Sequence, residues 1–254
     1  MMRFLLLSIV FISLFIFISC EESENPNSLS GDTEIQLTEP GNEIGIFFNM
    51  EGIDNPVVNN ISDSVIIKSR DNGIVTTWAH FSIDEESLLK IDTIFGTQNI
   101  DKNLKRQVLD IYLDRFGAEI DTSDKENMWL EAEWTLKVTS KGIQDFTYSG
   151  NDLNKPFTIV KYNAKVGDKY TFKTEDGSEI TREVVRKSKD DDFELGFILV
   201  KVIEVEETRD DPMIDKITYY ANHKLGLVGI KADLKNGNEG MMKLYPWAVL
   251  NVWQ

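Results

Sequence analysis

Cysteine is almost absent: Cys20 is the only one in 254 residues. One thiol excludes an internal disulfide, so stability has to come from a packed core. Histidine is nearly as scarce. His80 and His223 are the only two, far apart, so no paired metal-ligand spacing exists. His80, in Trp78-Ala79-His80-Phe81, reads as a hydrogen-bonded core or rim residue, and His223 sits in an Asn-His-Lys turn. Also missing are a Gly-x-Ser-x-Gly elbow, a glycine-rich phosphate loop, a dinucleotide fingerprint and a CxxC pair, which removes the usual grounds for serine catalysis, nucleotide binding or zinc. Positive charge is in deficit, with 27 Lys and Arg against 43 Asp and Glu and a formal net charge of -16. Nucleic acid needs clustered cations. The nearest cluster, Lys102, Lys105 and Arg106, alternates with acidic neighbours and reads as a solvated helix face. Anionic headgroups would repel this chain too, so membrane attachment requires a covalent anchor.

What is present begins with a leader. After Met1 to Arg3, residues Phe4 to Ile18 are apolar except for Ser8 and Ser13. That length suits a signal-peptide core, whereas a spanning helix needs about 20 residues; an uncleaved anchor is the alternative. Phe17-Ile18-Ser19-Cys20 resembles the lipobox of bacterial lipoproteins. The resemblance implies a signal peptide over 1–19, cleavage before Cys20 and a diacylglyceryl group on its thiol, which leaves no cysteine for catalysis. Ser19 fits the small residue required there, while Phe17 and Ile18 depart from the usual leucine and small residue. Glu21, Glu22 and Glu24 resemble the surface-export signal of Bacteroidota lipoproteins, or else are the solvated start of a linker. Together these features imply an acylated lipoprotein of the cell envelope, in the outer membrane and with surface exposure as a further step. The two or three acyl chains of such an anchor hold stably, because each buried methylene contributes about 0.8 kcal/mol.

Hydrophobic residues at 41% and charged residues at 28% match a folded globular part. Residues 20–40, rich in Ser, Asn, Glu, Gly and Pro, have the composition of a tether. Beyond them the main signal is strand periodicity. Leu130, Ala132, Trp134, Leu136 and Val138 alternate with Glu131, Glu133, Thr135 and Lys137, as in a half-buried strand. Similar runs lie at 64–68, 74–81, 180–185, 193–205, 217–220 and 225–232. Asn72-Gly73, Asp176-Gly177 and Asn236-Gly237 supply the positive φ that tight hairpins need, so the strands are mostly antiparallel neighbours. One main helix is predicted over 101–116, with Asp101 as cap, Leu104, Val108, Ile111, Tyr112 and Phe116 on one face and Gly117 as its stop. A shorter turn of helix is predicted over 84–90. No repeat is apparent. A composition shift at Tyr148 to Lys155 divides an N-terminal α+β part, 41–150, from a C-terminal antiparallel β part, 151–254, although 41–254 as one domain remains open. The predicted class is α+β, predominantly antiparallel β. Tyr162, Val166-Gly167-Asp168-Lys169-Tyr170 and Tyr219 to Val228 look like the C-terminal half of exported β-rich lipoproteins. That resemblance implies a curved sheet or half-barrel and carries no catalytic assignment.

Carboxylates are abundant at Asp190, Asp191 and Asp192 and at Glu204, Glu206, Glu207, Asp210 and Asp211. No spaced calcium loop organises them, and three aspartates in a turn are ordinarily just solvated. A glycosidase would need two carboxylates about 5 to 10 Å apart across a cleft, which only a structure can show. Trp129 and Trp134 share an alternating strand but point to opposite faces, so one is more exposed or packs on the helix; an exposed aromatic would suit carbohydrate or peptide. Asp63-Ser64-Val65 and Asp92-Thr93-Ile94 resemble the O-glycosylation triplet of Bacteroidota exported proteins. No catalytic residue, cofactor or metal is nominated; Cys20, as a lipidation site, is the one site residue. The expected function is a membrane-anchored envelope lipoprotein that binds a glycan, a lipid or an envelope protein. A carboxylate-dependent hydrolase and a lipid or lipoprotein carrier with an apolar cavity are the alternatives.

Overall fold

The computed structural model describes residues 27–51, 61–83, 113, 117–121, 123 and 128–246. Its strands are β1 (Glu43–Glu51), β2 (Ile61–Asp71), β3 (Ile74–Ile83), β4 (Ala118–Asp121), β5 (Met128–Thr139), β6 (Gly142–Asp145), β7 (Phe157–Lys161) and β8 (Lys169–Lys173). They continue as β9 (Glu179–Lys187), β10 (Phe193–Leu195), β11 (Ile198–Val200), β12 (Ile203–Thr208), β13 (Ile214–Asn222), β14 (Gly226–Leu234) and β15 (Glu239–Pro246). Thirteen of them form one antiparallel sheet in the order β7-β6-β5-β3-β2-β1-β15-β14-β13-β12-β9-β8, with β4 added to β5.

The sheet curls until its two edges, β7 and β8, face each other, giving a nearly closed barrel. Side chains rather than a backbone ladder bridge the seam. The Thr158 amide donates to Asn27 Oδ1 at 3.0 Å and Asn27 Nδ2 donates to the Thr171 carbonyl at 3.0 Å. The Lys161 amide donates to the Tyr170 hydroxyl at 3.2 Å. From Asn27 the chain crosses one end of the barrel. The Thr139 hydroxyl donates to the Ser30 carbonyl, the Ser140 amide to the Asp32 carbonyl, and the Gly41 amide to the Ile67 carbonyl. The later part of the 20–40 segment therefore lies along the barrel rim.

Periodicity locates the strands that bury one face only, whereas β6 and β7 are buried along almost their whole length and carry no such trace. Along β5, Leu130, Trp134, Leu136 and Val138 face inward while Glu131 and Glu133 are exposed. The three predicted turns join β2 to β3, β8 to β9 and β14 to β15. At the first, Asn72 and Gly73 have φ of 48° and 81°, the two positive values of a type I′ hairpin. The strands on either side of Tyr148 to Lys155 pair directly, Gly142 opposite Lys161, so both enter one sheet.

The helical half of the predicted α+β class requires correction. The main helix at 101–116 and the turn at 84–90 lie outside the described residues, apart from the helical Leu113. Otherwise the described residues contain only two three-residue 3-10 turns, Gln36–Thr38 and Thr147–Ser149, so no main helix is supported. Here the sheet closes on itself, and a barrel covers its own apolar face without needing a helix layer.

A separate hairpin, β10–β11, lies on the outer face of β13–β15. Phe193, Leu195 and Val200 pack there with Val202 and Val228, and Phe193 stacks on Tyr220 at 4.9 Å. Its tip leaves the surface: Phe197 is fully exposed, with Ile198 and Leu199 also exposed.

Candidate functional site: an apolar cavity beside a buried ionic cluster

The barrel interior is filled on one side and hollow on the other. Tyr170, Ile180, Val184, Ile203 and Val205 pack densely inside β8, β9 and β12. Toward β1–β5 and β13–β15 the inward side chains do not meet, leaving a cavity of about 780 Å³. Its wall is almost wholly aliphatic and aromatic: Ile44 and Phe48 from β1, Val65 and Ile67 from β2, Trp134 and Leu136 from β5, Ile217 from β13, Ile230 from β14, and Met242 and Leu244 from β15. Ile35 and Leu37 contribute from the rim segment. Such a volume and lining fall within the range of small-molecule sites, about 300–1,000 Å³.

Apart from scattered threonines such as Thr38, Thr77 and Thr135, polar groups reach this wall in two places. One is the turn end of the barrel, where Ser140, Tyr162, His223 and Lys224 line the cavity. His223 and Lys224 are also exposed, so the cavity reaches solvent there. The other is deeper, where Asp145 and Tyr219 belong to a buried cluster. Arg182, with no exposed surface, pairs with Asp145 at 2.7 Å and with Glu207 at 2.8 Å. Its guanidinium also donates to the Tyr219 hydroxyl and lies over the Phe157 ring at 4.0 Å. Tyr148 and Tyr219 donate to Glu207, Arg209 donates to Tyr148 at 2.6 Å, and Arg209 pairs with Asp211 at 2.8 Å.

Two arginines thus face three carboxylates, one negative charge in excess. Burial pushes the Asp145 carboxyl above its ordinary value against the pull of Arg182, with Glu207 adding to the rise. Burial pushes Glu207 up as well, but Arg182, the Tyr148 hydrogen bond and Arg209 outweigh it and hold that carboxyl low. The split follows the donors. Glu207 accepts from Arg182 and two phenols, whereas Asp145 has Arg182 and the Thr147 amide. The cluster therefore locks Glu207 into structure, where it faces an arginine instead of a cleft.

The remaining acidic residues disperse. Glu204 and Asp192 pair with Arg186 at 2.6 and 2.5 Å, and Glu206 pairs with Lys216 at 2.8 Å. Among the described residues no group of three or more His, Cys, Asp and Glu is arranged to hold a metal. His80 lies on the outer face, its Nδ1 2.9 Å from Glu131 and its ring stacked on Trp129 at 4.1 Å. Of the two tryptophans on opposite faces, Trp134 lines the cavity and Trp129 joins this outer stack. Ser64 is half-buried in β2. Cys20, the acidic run after it and the 92–94 triplet lie outside the described residues. No helix among the described residues is long and apolar enough to cross a membrane.

Arg182, Asp145 and Tyr148 were not singled out from the sequence, yet a signal was there. Arg182 falls in the inward phase of β9 between Ile180 and Val184, and Glu207 in the inward phase of β12 after Ile203 and Val205. A charge at an inward position demands a partner of opposite sign.

No protein-family model and no curated protein matches the sequence. Among solved structures the chain is similar to a Bacteroides fragilis protein described as exported and as having a YMCC-like fold. Identity is 8% and the TM-score 0.40, covering 82% of this chain and 95% of that one.

Proposed function

We propose that this chain is an envelope lipoprotein, anchored through Cys20, whose barrel holds an apolar or amphiphilic small molecule. The observation that carries the reading is the cavity of about 780 Å³, aliphatic on nearly all sides and open at the turn end. An apolar hollow of this size forgoes the dispersion contacts that a filled core provides, and an apolar ligand restores them. Among the alternatives drawn from the sequence, the cavity favours the lipid carrier over the hydrolase, because Glu207 is held by Arg182 and two tyrosines.

Titration of the purified chain with 1-N-phenylnaphthylamine tests this reading. Binding is expected with micromolar affinity, together with at least a tenfold loss in Ala232→Phe, which fills the hollow from β14. Absence of probe binding, or equal binding by a folded Ala232→Phe chain, would overturn it. The anchor is tested separately: Cys20→Ser is expected to release the chain from membranes, and an uncleaved, membrane-bound product would rule the lipid anchor out.

A further inference from the structure

We infer that the cavity takes a single-chain amphiphile with an anionic head, the acyl chain inside the barrel and the head at the turn end against His223 and Lys224. This rests on the apolar-ligand reading above and adds an orientation and a head-group class to it.

The asymmetry of the polar lining supports the orientation. At the turn end, His223 and Lys224 are exposed on the β13–β14 turn, and Ser140 sits on the neighbouring β5–β6 turn with Lys141 beside it. Among the described residues Lys224, which lines the cavity, is held in no ion pair, so its charge is available to an incoming anion. The Asn222 side chain holds the β13–β14 turn in place: its Oδ1 accepts from the amides of Lys224 and Leu225, and its Nδ2 donates to the Lys201 carbonyl at 2.7 Å. Tyr162 adds a donor, since burial pushes its phenol up to about 12 and keeps the O–H in place at neutral pH. The deeper polar patch has the opposite character, a cluster with one carboxylate in excess and Asp145 on the cavity wall. An anionic head is attracted at the mouth and repelled at depth, while the wall between suits an alkyl chain. In a chain of net charge -16, a free lysine at the mouth of an apolar hollow acts as a local selector against the global field.

The test compares cis-parinaric acid with its methyl ester on the native chain and on His223→Gln/Lys224→Gln. The acid is expected to bind at least tenfold more tightly than the ester to the native chain. In the double variant that ratio should fall below twofold with the ester's affinity unchanged. Equal binding of acid and ester by the native chain, or an undiminished ratio in the variant, would overturn the head-group assignment while leaving the apolar-ligand reading intact. Failure of both probes to bind would overturn both. Competition by oleate against lysophosphatidate then separates a carboxylate head from a phosphate head, and displacement by neither overturns the anionic class.

Discussion

Arg182 on β9 donates through Nε to Glu207 on β12 at 2.8 Å, and both side chains are fully buried. Through Asp145 on β6 and the Phe157 carbonyl on β7, the same guanidinium ties the two edges of the curled sheet together. Removing it strands carboxylates in an apolar interior. Arg182→Met is therefore expected to cost about 3–5 kcal/mol in urea unfolding. Adding Asp145→Asn and Glu207→Gln should recover part of that loss, because the uncompensated charges go with it.

The two carboxylates make opposite contributions to acid stability. Glu207 is held below its ordinary 4.5, so its stabilisation is present above that pH and is lost as pH falls through the folded value. Asp145 is raised above 3.8, so ionising it in the fold costs stability that acidification relieves. Between about pH 7 and about pH 3.5, Glu207→Gln should lose less stability than the native chain, and Asp145→Asn more. Urea midpoints across that range check this, and three identical slopes would contradict it.

Asn27 closes the seam by bonding β7 on one side and β8 on the other. Asn27→Ala removes both bonds and should cost about 1–3 kcal/mol. Faster hydrogen exchange at the Thr158 amide, without a comparable change at the β13–β14 pairing, would locate the loss at the seam.

Two glycines separate close approach from backbone conformation. A Cβ at Gly142 would lie 2.1 Å from the Val160 carbonyl oxygen, so Gly142→Ala forces β6 away from β7. At Gly177, φ is +86° but nothing lies within 4 Å, so Gly177→Ala should cost only about 1–2 kcal/mol from the left-handed conformation. Thermal unfolding should rank Gly142→Ala well below Gly177→Ala.

The outer hairpin offers a paired comparison as well. Phe193 is buried against Tyr220, whereas Phe197 is fully exposed. Phe193→Ala is expected to destabilise by about 3 kcal/mol, and Phe197→Asp to leave Tm within the error of the measurement. A large drop for Phe197→Asp would mean that the tip is covered.

Much of the barrel was legible because strands with one buried face leave a period-two trace. The alternation from Leu130 to Val138 gave both the strand and its inward face, and Asn72-Gly73 gave the hairpin. The predicted helix from Asp101 rested on periodicity and caps alone, and no described element supports it. The cavity left no local trace. Trp134, Ile217 and Leu244 have the pattern of core residues, and the same pattern serves a filled or a hollow barrel.

A β-rich chain with antiparallel neighbours, one cysteine and no catalytic signature is already specified by the order of the residues. These properties are encoded residue by residue, in side-chain period, turn chemistry and composition. Tertiary structure alone decided that β7 and β8 meet, that Arg182 lies between Asp145 and Glu207, and that the interior is hollow on one side. Each depends on distances between residues remote in the chain, set by the curl of the whole sheet, and no local pattern records them.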